Sequence, residues 1–507
     1  MSLRQPWRLW RAGLLLWAIS VLGPGPALAQ PDAAQTLALA RQQQAAGQAP
    51  LAIWLARQAL LQTPAQAPQA AGIAAELAGW LAQQGRLDEA RLLLDRARAH
   101  ALAGFVGSGQ HPAVALPDWR DEAADAAWSG AWAQAWSQTG DAQAALQALA
   151  QLPQPRRLPQ PPRVQAGSGE LQLHLIASEH GLALLLDGGG QVQVQQLDWP
   201  LAERELELAR LAQALQDGSG QALPLLQRLY QRLGRPADQR ARDIGARRLV
   251  LHAQGSLREL PWAALHDGQA YLGERYAVSH GHGNRGGGPA SAGIAAQARL
   301  YALGVSQSRA GQPALPGVAR ELCHIVAGPV HGLQRVPHNC GQGQWRGEAW
   351  LDQQFDGARL QQAVAEGRAQ GQALLHLGTH FDLRPGRMAL STLLLGDGSR
   401  WPLARLAELD FRGHALVTLA ACDTGAAGGE AADSLQSLIL NRGARAVLAS
   451  LWQVDDASTS ALMRSFYSHL GRHGPAEALR LAQSEVRRQP GWQHPQHWAG
   501  FVLAMPS

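Results

Sequence analysis

The sequence contains no lysine. All 44 basic residues among its 507 are arginines. This absence excludes a P-loop lysine on a phosphate, a Schiff-base lysine and a kinase-type lysine. Cysteine is scarce: Cys323, Cys340 and Cys422 are the three, and no C-x-x-C pair exists, which leaves a thiol redox centre the weakest reading. Charged residues make up only 16 % of the chain, but hydrophobic residues make up 46 % and no polar low-complexity run is sustained. Wholesale disorder is therefore excluded. No basic stripe with interleaved aromatics occurs, so no nucleic-acid partner is expected. His376 and His380 have the i, i+4 spacing of a metal pair, but Gly378 opposes a helix and the acid of a zinc-protease motif is missing. No metal is expected. The glycine-rich HGHGNRGGG (280–288) lacks the G-x-G-x-x-G order and a following helix, so it reads as a flexible connection and no cofactor is expected.

What is present begins with an export signal. Residues 1–11 carry Arg4, Arg8 and Arg11 and no acid, residues 12–23 are apolar, and Ala27-Leu28-Ala29 offers a cleavage site before Gln30. The 12-residue apolar stretch is shorter than a bilayer span, and no later segment is long and apolar enough to cross one. Removing residues 1–29 lowers the net charge from +5 to +2. The expectation is an exported, periplasmic or secreted protein with no membrane partner after signal removal; an uncleaved anchor is the alternative. An oxidising compartment permits a disulfide. Cys323 and Cys340 lie 17 positions apart, a loop whose closure is worth about 3 kcal/mol. That pairing would leave Cys422 free; three reduced thiols are the alternative.

The length suggests roughly three domains. Residues 31–153 are rich in Ala, Leu and Gln, which suit helices. Gly47, Gly85 and Gly140 anchor a weak repeat. Ala40, Ala78 and Ala133 stand seven positions before them, and Ala52, Ala90 and Ala145 five after. Small residues at fixed offsets let two helices cross closely with the glycine at their turn. This resembles the tetratricopeptide (TPR) helix pair, stacks of which bind peptides. A plain Ala-rich bundle is the alternative. Residues 154–167 are a Pro-rich linker. From 168 the pattern changes to short strand-like runs at 171–177, 181–187 and 192–197, then helical spacing over 200–235, then strands alternating with helices to the end. That alternation predicts a mostly parallel sheet covered by helices.

The chemistry concentrates between 371 and 456. ALLHLGTHF (373–381) and HALVTLAACDTG (414–425) read as two buried strands, the first ending at His380 and the second at Cys422. Ligands and catalytic groups collect at the C-terminal ends of such strands. A thiol needs a base to become a nucleophile near neutral pH, and a histidine supplies one. His376 lies inside its strand and reads as structural. Asp423 fits a turn. Asp455 and Asp456 fit either the cap of a helix starting near Ala457 or a pocket for a basic residue.

The surrounding residues carry a resemblance. HLGTHF (376–381), ACDTG (421–425), LNRGARAVLASLWQVDDAST (440–459), FYSHL (466–470), ALRLAQ (478–483) and HWAGFVL (497–503) resemble the CHAT family, as do LRELPWAALHDGQAYLGERYAVSH (257–280) and LPGVARE (315–321). These are caspase-like peptidase domains often found beside TPR units. The resemblance implies an α/β caspase-like sandwich, with an N-terminal half over 168–310, a C-terminal peptidase half over 311–507, and an all-α front. It implies Cys422 as nucleophile and His380 as base, with oxyanion donors at the backbone N–H groups of Cys422 and Phe381. The family usually has Gly after this histidine, where this chain has Phe381. The expected partners are a protein or peptide substrate and an activating protein on the TPR-like surface. The alternative is an inactive scaffold that only binds partners.

Overall fold

The computed structural model describes residues 31–506 except 64–67, 87–88, 91–92, 94–121, 153–168, 178–180, 254, 283–292, 385–389 and 421–428. The expected signal and Pro-rich linker therefore lie outside the described residues, as do Cys422 and Asp423.

The helical front forms because its caps and turns agree with its composition. Helix α1 (Ala33–Ala45) starts on Asp32, whose side chain accepts the Gln35 N–H in a capping box. Helix α2 (Ala49–Gln62) has Pro50 in its first turn. Helices α3 (Pro68–Gln83), α4 (Glu122–Thr139) and α5 (Ala142–Ala150) follow. Gly47, Gly85 and Gly140 each adopt a left-handed φ, of 76°, 72° and 61°, directly after a helix. A residue with a Cβ would be strained there. Ala40, Ala52, Ala78, Ala90 and Ala145 are completely buried, as close helix crossing requires.

The chain divides into two compact units. Helices α1, α2, α4 and α5 belong to the first, α3 to the second. The reason is packing: α3 lies against β1 (Glu170–Ala177) and β2 (Leu182–Gly188), with Gly79 facing Ile176. The first unit is organised around Trp54, which makes an edge contact with Trp128 and a tilted one with Trp132.

The second unit is built on one large sheet. Its strands are β1, β2, β3 (Gln191–Leu197), β4 (Arg248–His252), β5 (Ala277–His282), β6 (Leu300–Gly304), β7 (Val326–Ala327), β8 (Val330–His331), β9 (Trp345–Leu351), β10 (Ala373–Gly378), β14 (His414–Leu419), β15 (Val447–Ser450) and β16 (Phe501–Pro506). A small three-stranded sheet holds β11 (Phe381–Asp382), β12 (Thr392–Leu394) and β13 (Arg400–Pro402). The order in the large sheet is β3-β2-β1-β4-β5-β16-β15-β14-β10-β6-β9-β7, with β8 also on β9. Strands β1, β4, β5 and β16 run parallel, as do β15, β14, β10, β6 and β9; the β15–β16 pair is antiparallel. Two parallel blocks therefore meet at one antiparallel seam. Strand β6, inside the 168–310 segment, pairs with β10 and β9 in the second block.

One expectation needs correction. His280, Gly281 and His282 are not part of a flexible loop; they belong to β5. The last strand, β16, pairs with them through Ala504, Met505 and Pro506. Backbone hydrogen bonds from a distant segment override the local glycine signal.

Helices cover both faces of the second block. Along β10 and β14, Leu374 and Leu416 face one apolar core, while Leu375, Leu377, Val417 and Leu419 face another. The period of two puts His376 and Thr418 on the first face. Helices α10 (Pro316–Ile325), α13 (Asp456–Leu470) and α14 (Pro475–Arg487) supply that core; α11 (Gly357–Gln370) and α12 (Gly429–Asn441) supply the other. In the first block α6 (Leu201–Gln216), α7 (Ala222–Leu229) and α8 (Arg235–Asp243) pack with the short α9 (Leu272–Arg275).

Candidate active site

Strands β10 and β14 are adjacent and parallel, with His376 opposite Thr418 and Leu377 opposite Leu419. Both end at the same edge of the sheet. His380 follows β10 by two residues and is 6 % exposed. Cys422 follows β14 by three residues in sequence.

The imidazole of His380 is held by one carbonyl. Nε2 lies 3.0 Å from the Pro313 carbonyl oxygen. A carbonyl only accepts, so Nε2 carries the proton and, in the neutral ring, Nδ1 carries the lone pair. The Pro313 carbonyl is itself held in position. Leu315 N–H donates to the Ser306 carbonyl, closing the loop. Asp352, at a strained positive φ of 51°, accepts the Ser306 N–H (2.9 Å), the Gln307 N–H (3.0 Å) and the Ser306 hydroxyl (2.7 Å). Gly304 at the end of β6 lets α10 approach, since a Cβ there would meet Val318 at 2.5 Å.

Phe381 is 1 % exposed, and its ring belongs to the core that also holds Leu393 and Trp401. It turns into that core. Leu394 N–H donates to the His380 carbonyl, and Phe381 stands opposite Leu393. In this alternation the Phe381 N–H points away from β12.

The two acids after β15 divide their roles. Asp455 is the N-cap of α13, accepting the Ser458 N–H at 2.8 Å. Asp456 Oδ2 accepts the Gly317 N–H at 2.6 Å. Burial, helped by the neighbouring Asp455, holds the Asp456 carboxyl above its ordinary value against the opposing pull of the Gly317 N–H, Arg320 and His380. Asp456 therefore belongs to the electrostatic surroundings of His380, and Asp455 caps a helix. Cys323 and Cys340 form a disulfide that ties α10 to the segment before β9. Among the described residues no cluster of His, Cys, Asp or Glu fits a metal ion, and no helix is long and apolar enough to cross a membrane.

Sequence reasoning missed Pro313, because a backbone carbonyl leaves no residue-type signal. Glu321 lay within LPGVARE, but only the fold reveals its contact with His376. The network of Glu321, His376, Tyr467 and Thr418 was equally hidden.

A family model described as the CHAT domain matches residues 223–506. The chain belongs to the CHAT domain family. The matched region begins after α6 and includes His380, Cys422 and both acids. No curated protein sequence matches the chain. Among solved structures, the Saccharomyces cerevisiae separase–securin complex is similar with 8 % identity and a TM-score of 0.48, covering 90 % of this chain and 37 % of that one. The Arg-specific cysteine proteinase gingipain R is similar with 9 % identity and a TM-score of 0.33, covering 60 % of this chain and 75 % of that one. The Porphyromonas gingivalis complex of RgpB pro- and mature domains gives 10 %, 0.31, 61 % and 77 % in the same terms. The mostly parallel sheet flanked by helices is the α/β architecture that the sequence resemblance implies.

Proposed function

We propose that this CHAT protein is an exported cysteine endopeptidase acting through Cys422 and His380. Cys422 attacks the scissile carbonyl. His380 takes the thiol proton through Nδ1 and returns it to the leaving amine. The tetrahedral oxyanion accepts hydrogen bonds from the backbone N–H groups of Cys422 and Phe381. Water then hydrolyses the thioester. The observation that carries this reading is the Nε2 contact with the Pro313 carbonyl, which commits the free lone pair of His380 to Nδ1 at the edge where β14 also ends.

The substrate is a protein or peptide. Asp456, in the electrostatic surroundings of His380, favours a basic residue before the cut, and Asp423 and Asp455 add negative charge to the segments that follow β14 and β15. The helical front binds the substrate or an activating protein, in the manner of TPR-like stacks. An inactive scaffold is the second reading, motivated by Phe381 in place of glycine. The Phe381 ring weighs against it, because the ring is buried in the core and the backbone N–H is retained.

The test incubates full chain and Cys422→Ala with an extract of exported proteins and maps new N-termini by mass spectrometry. Termini appearing only with the wild-type chain, mostly after Arg or Lys, are expected. If none appear and an electrophilic peptide probe leaves Cys422 unlabelled, the scaffold reading replaces this one.

A further inference from the structure

Within β10 and β14, ahead of His380, lies a buried polar network that the chemistry above does not use. Inside β10 and β14 the polar side chains are His376, Thr418 and, at the first position of β14, His414. His376 and Thr418 are register partners. Each stands four positions before a dyad residue, His376 before His380 and Thr418 before Cys422. The Tyr467 hydroxyl on α13 lies 3.2 Å from His376 Nδ1 and 3.0 Å from Thr418 Oγ1. It can donate to one and accept from the other. On its far side His376 Nε2 lies 2.8 Å from Glu321 Oε1, a close polar contact without the angle of an aligned hydrogen bond. All four residues are at most 1 % exposed.

Such a network costs desolvation, and apolar residues of the same volume are often as stable or more so. What it adds is geometry. Leu and Val neighbours tolerate small slips between strands; one hydroxyl reaching two strands does not. Glu321 extends the tie. It sits on α10, whose Gly317 N–H binds Asp456 and which follows the loop whose Pro313 carbonyl binds His380. We propose that Glu321, His376, Tyr467 and Thr418 are positioning residues that lock β10 against β14 and so set the spacing of the catalytic histidine and cysteine. The proposal rests on the peptidase reading.

Cys422 is the one cysteine outside the Cys323–Cys340 disulfide, so alkylation of the full chain by iodoacetamide reports on it alone. Tyr467→Phe keeps the ring and removes the hydroxyl. It is expected to slow alkylation at least tenfold and to lower kcat similarly on a peptide spanning a mapped cleavage site, with KM within twofold. Thr418→Val, of matching shape, has the same effect, and Thr418→Ser restores the wild-type rate. Leu462→Ala, in the same helix but outside the network, lowers the melting temperature more than Tyr467→Phe does and leaves alkylation within twofold. Wild-type alkylation rates in both Tyr467→Phe and Thr418→Val overturn the proposal. If wild-type Cys422 reacts no faster than in the urea-unfolded chain, the peptidase reading fails and takes the proposal with it.

Discussion

Asp238, on a helix covering the first parallel block, and Glu321, on a helix covering the second, are each 1 % exposed. Their surroundings differ sharply. Asp238 accepts hydrogen bonds from the Tyr230 and Tyr276 hydroxyls, both 2.7 Å, and from Arg242, with Arg275 at 3.0 Å. Burial pulls its carboxyl up, but these donors outweigh burial and hold it below the ordinary range. Glu321 has His376 as its close partner among the described residues, and burial drives its carboxyl up. The first acid is solvated by the protein and acts as a structural hub. The second is left under-satisfied next to the candidate active site. The well-paired acid stabilises the first block, and the poorly paired one lies in the block that carries the candidate dyad.

The largest expected effect tests the hub. Asp238→Ala should destabilise the chain by about 3–5 kcal/mol, since it strands two buried phenols and leaves Arg275 without this partner. Urea unfolding measures it, and a loss under about 1 kcal/mol would erase the contrast. The depressed carboxyl also sets a sign. Its contribution is complete above the ordinary carboxylate range and is lost as pH falls through the folded-state value.

The staple of the second block comes next. Cys340→Ser opens the loop closed by Cys323 and Cys340 and should cost about 3 kcal/mol, read from the same unfolding curves. A matching loss on reduction of the wild-type chain, absent in the variant, would assign the effect to the disulfide.

A buried histidine gives a third effect. His414 begins β14 and is fully buried, with Nδ1 donating to the Phe411 carbonyl. Burial pushes its pKa down to about 4. The unfolded chain, with histidine near about 6.5, binds the proton first. Stability is therefore complete above pH ~6.5 and falls toward pH ~4, by about 2–3 kcal/mol. His414→Leu should flatten this part of the pH–stability curve; an unchanged slope would assign it to other groups.

The smallest effect on stability completes the comparison. Glu321→Gln should change it by less than about 1 kcal/mol, because burial already opposes the ionised form and the amide keeps the shape. Its raised carboxyl contributes with the opposite sign from Asp238, losing stability as pH rises. A loss as large as that of Asp238→Ala would make Glu321 a structural hub as well.

Much of this was legible along the chain. The runs at 171–177, 181–187 and 192–197 became β1, β2 and β3 within one residue at most boundaries, because each alternates or is continuously apolar between turn residues. The anchor glycines marked helix ends because a left-handed φ favours one residue type. His380 was legible as a polar residue at the C-terminal end of an apolar run, although the strand itself stops two residues earlier, at Gly378. Other features were not. The HGHGNRGGG stretch reads as a loop, yet its first three residues are strand because β16 arrives beside them. Helix α3 reads as part of the helical front but packs on β1 and β2.

The sequence by itself determined the element types, the CHAT motifs and the identity of the candidate dyad, because these depend on residue type and spacing over a few turns or strands. The tertiary structure decided the rest: the antiparallel seam between the two blocks, the Pro313 carbonyl that selects the His380 tautomer, and the Tyr467 hydroxyl shared by His376 and Thr418. Each of these is a contact between residues far apart in the chain, and its strength depends on a distance of about 3 Å that no local pattern encodes.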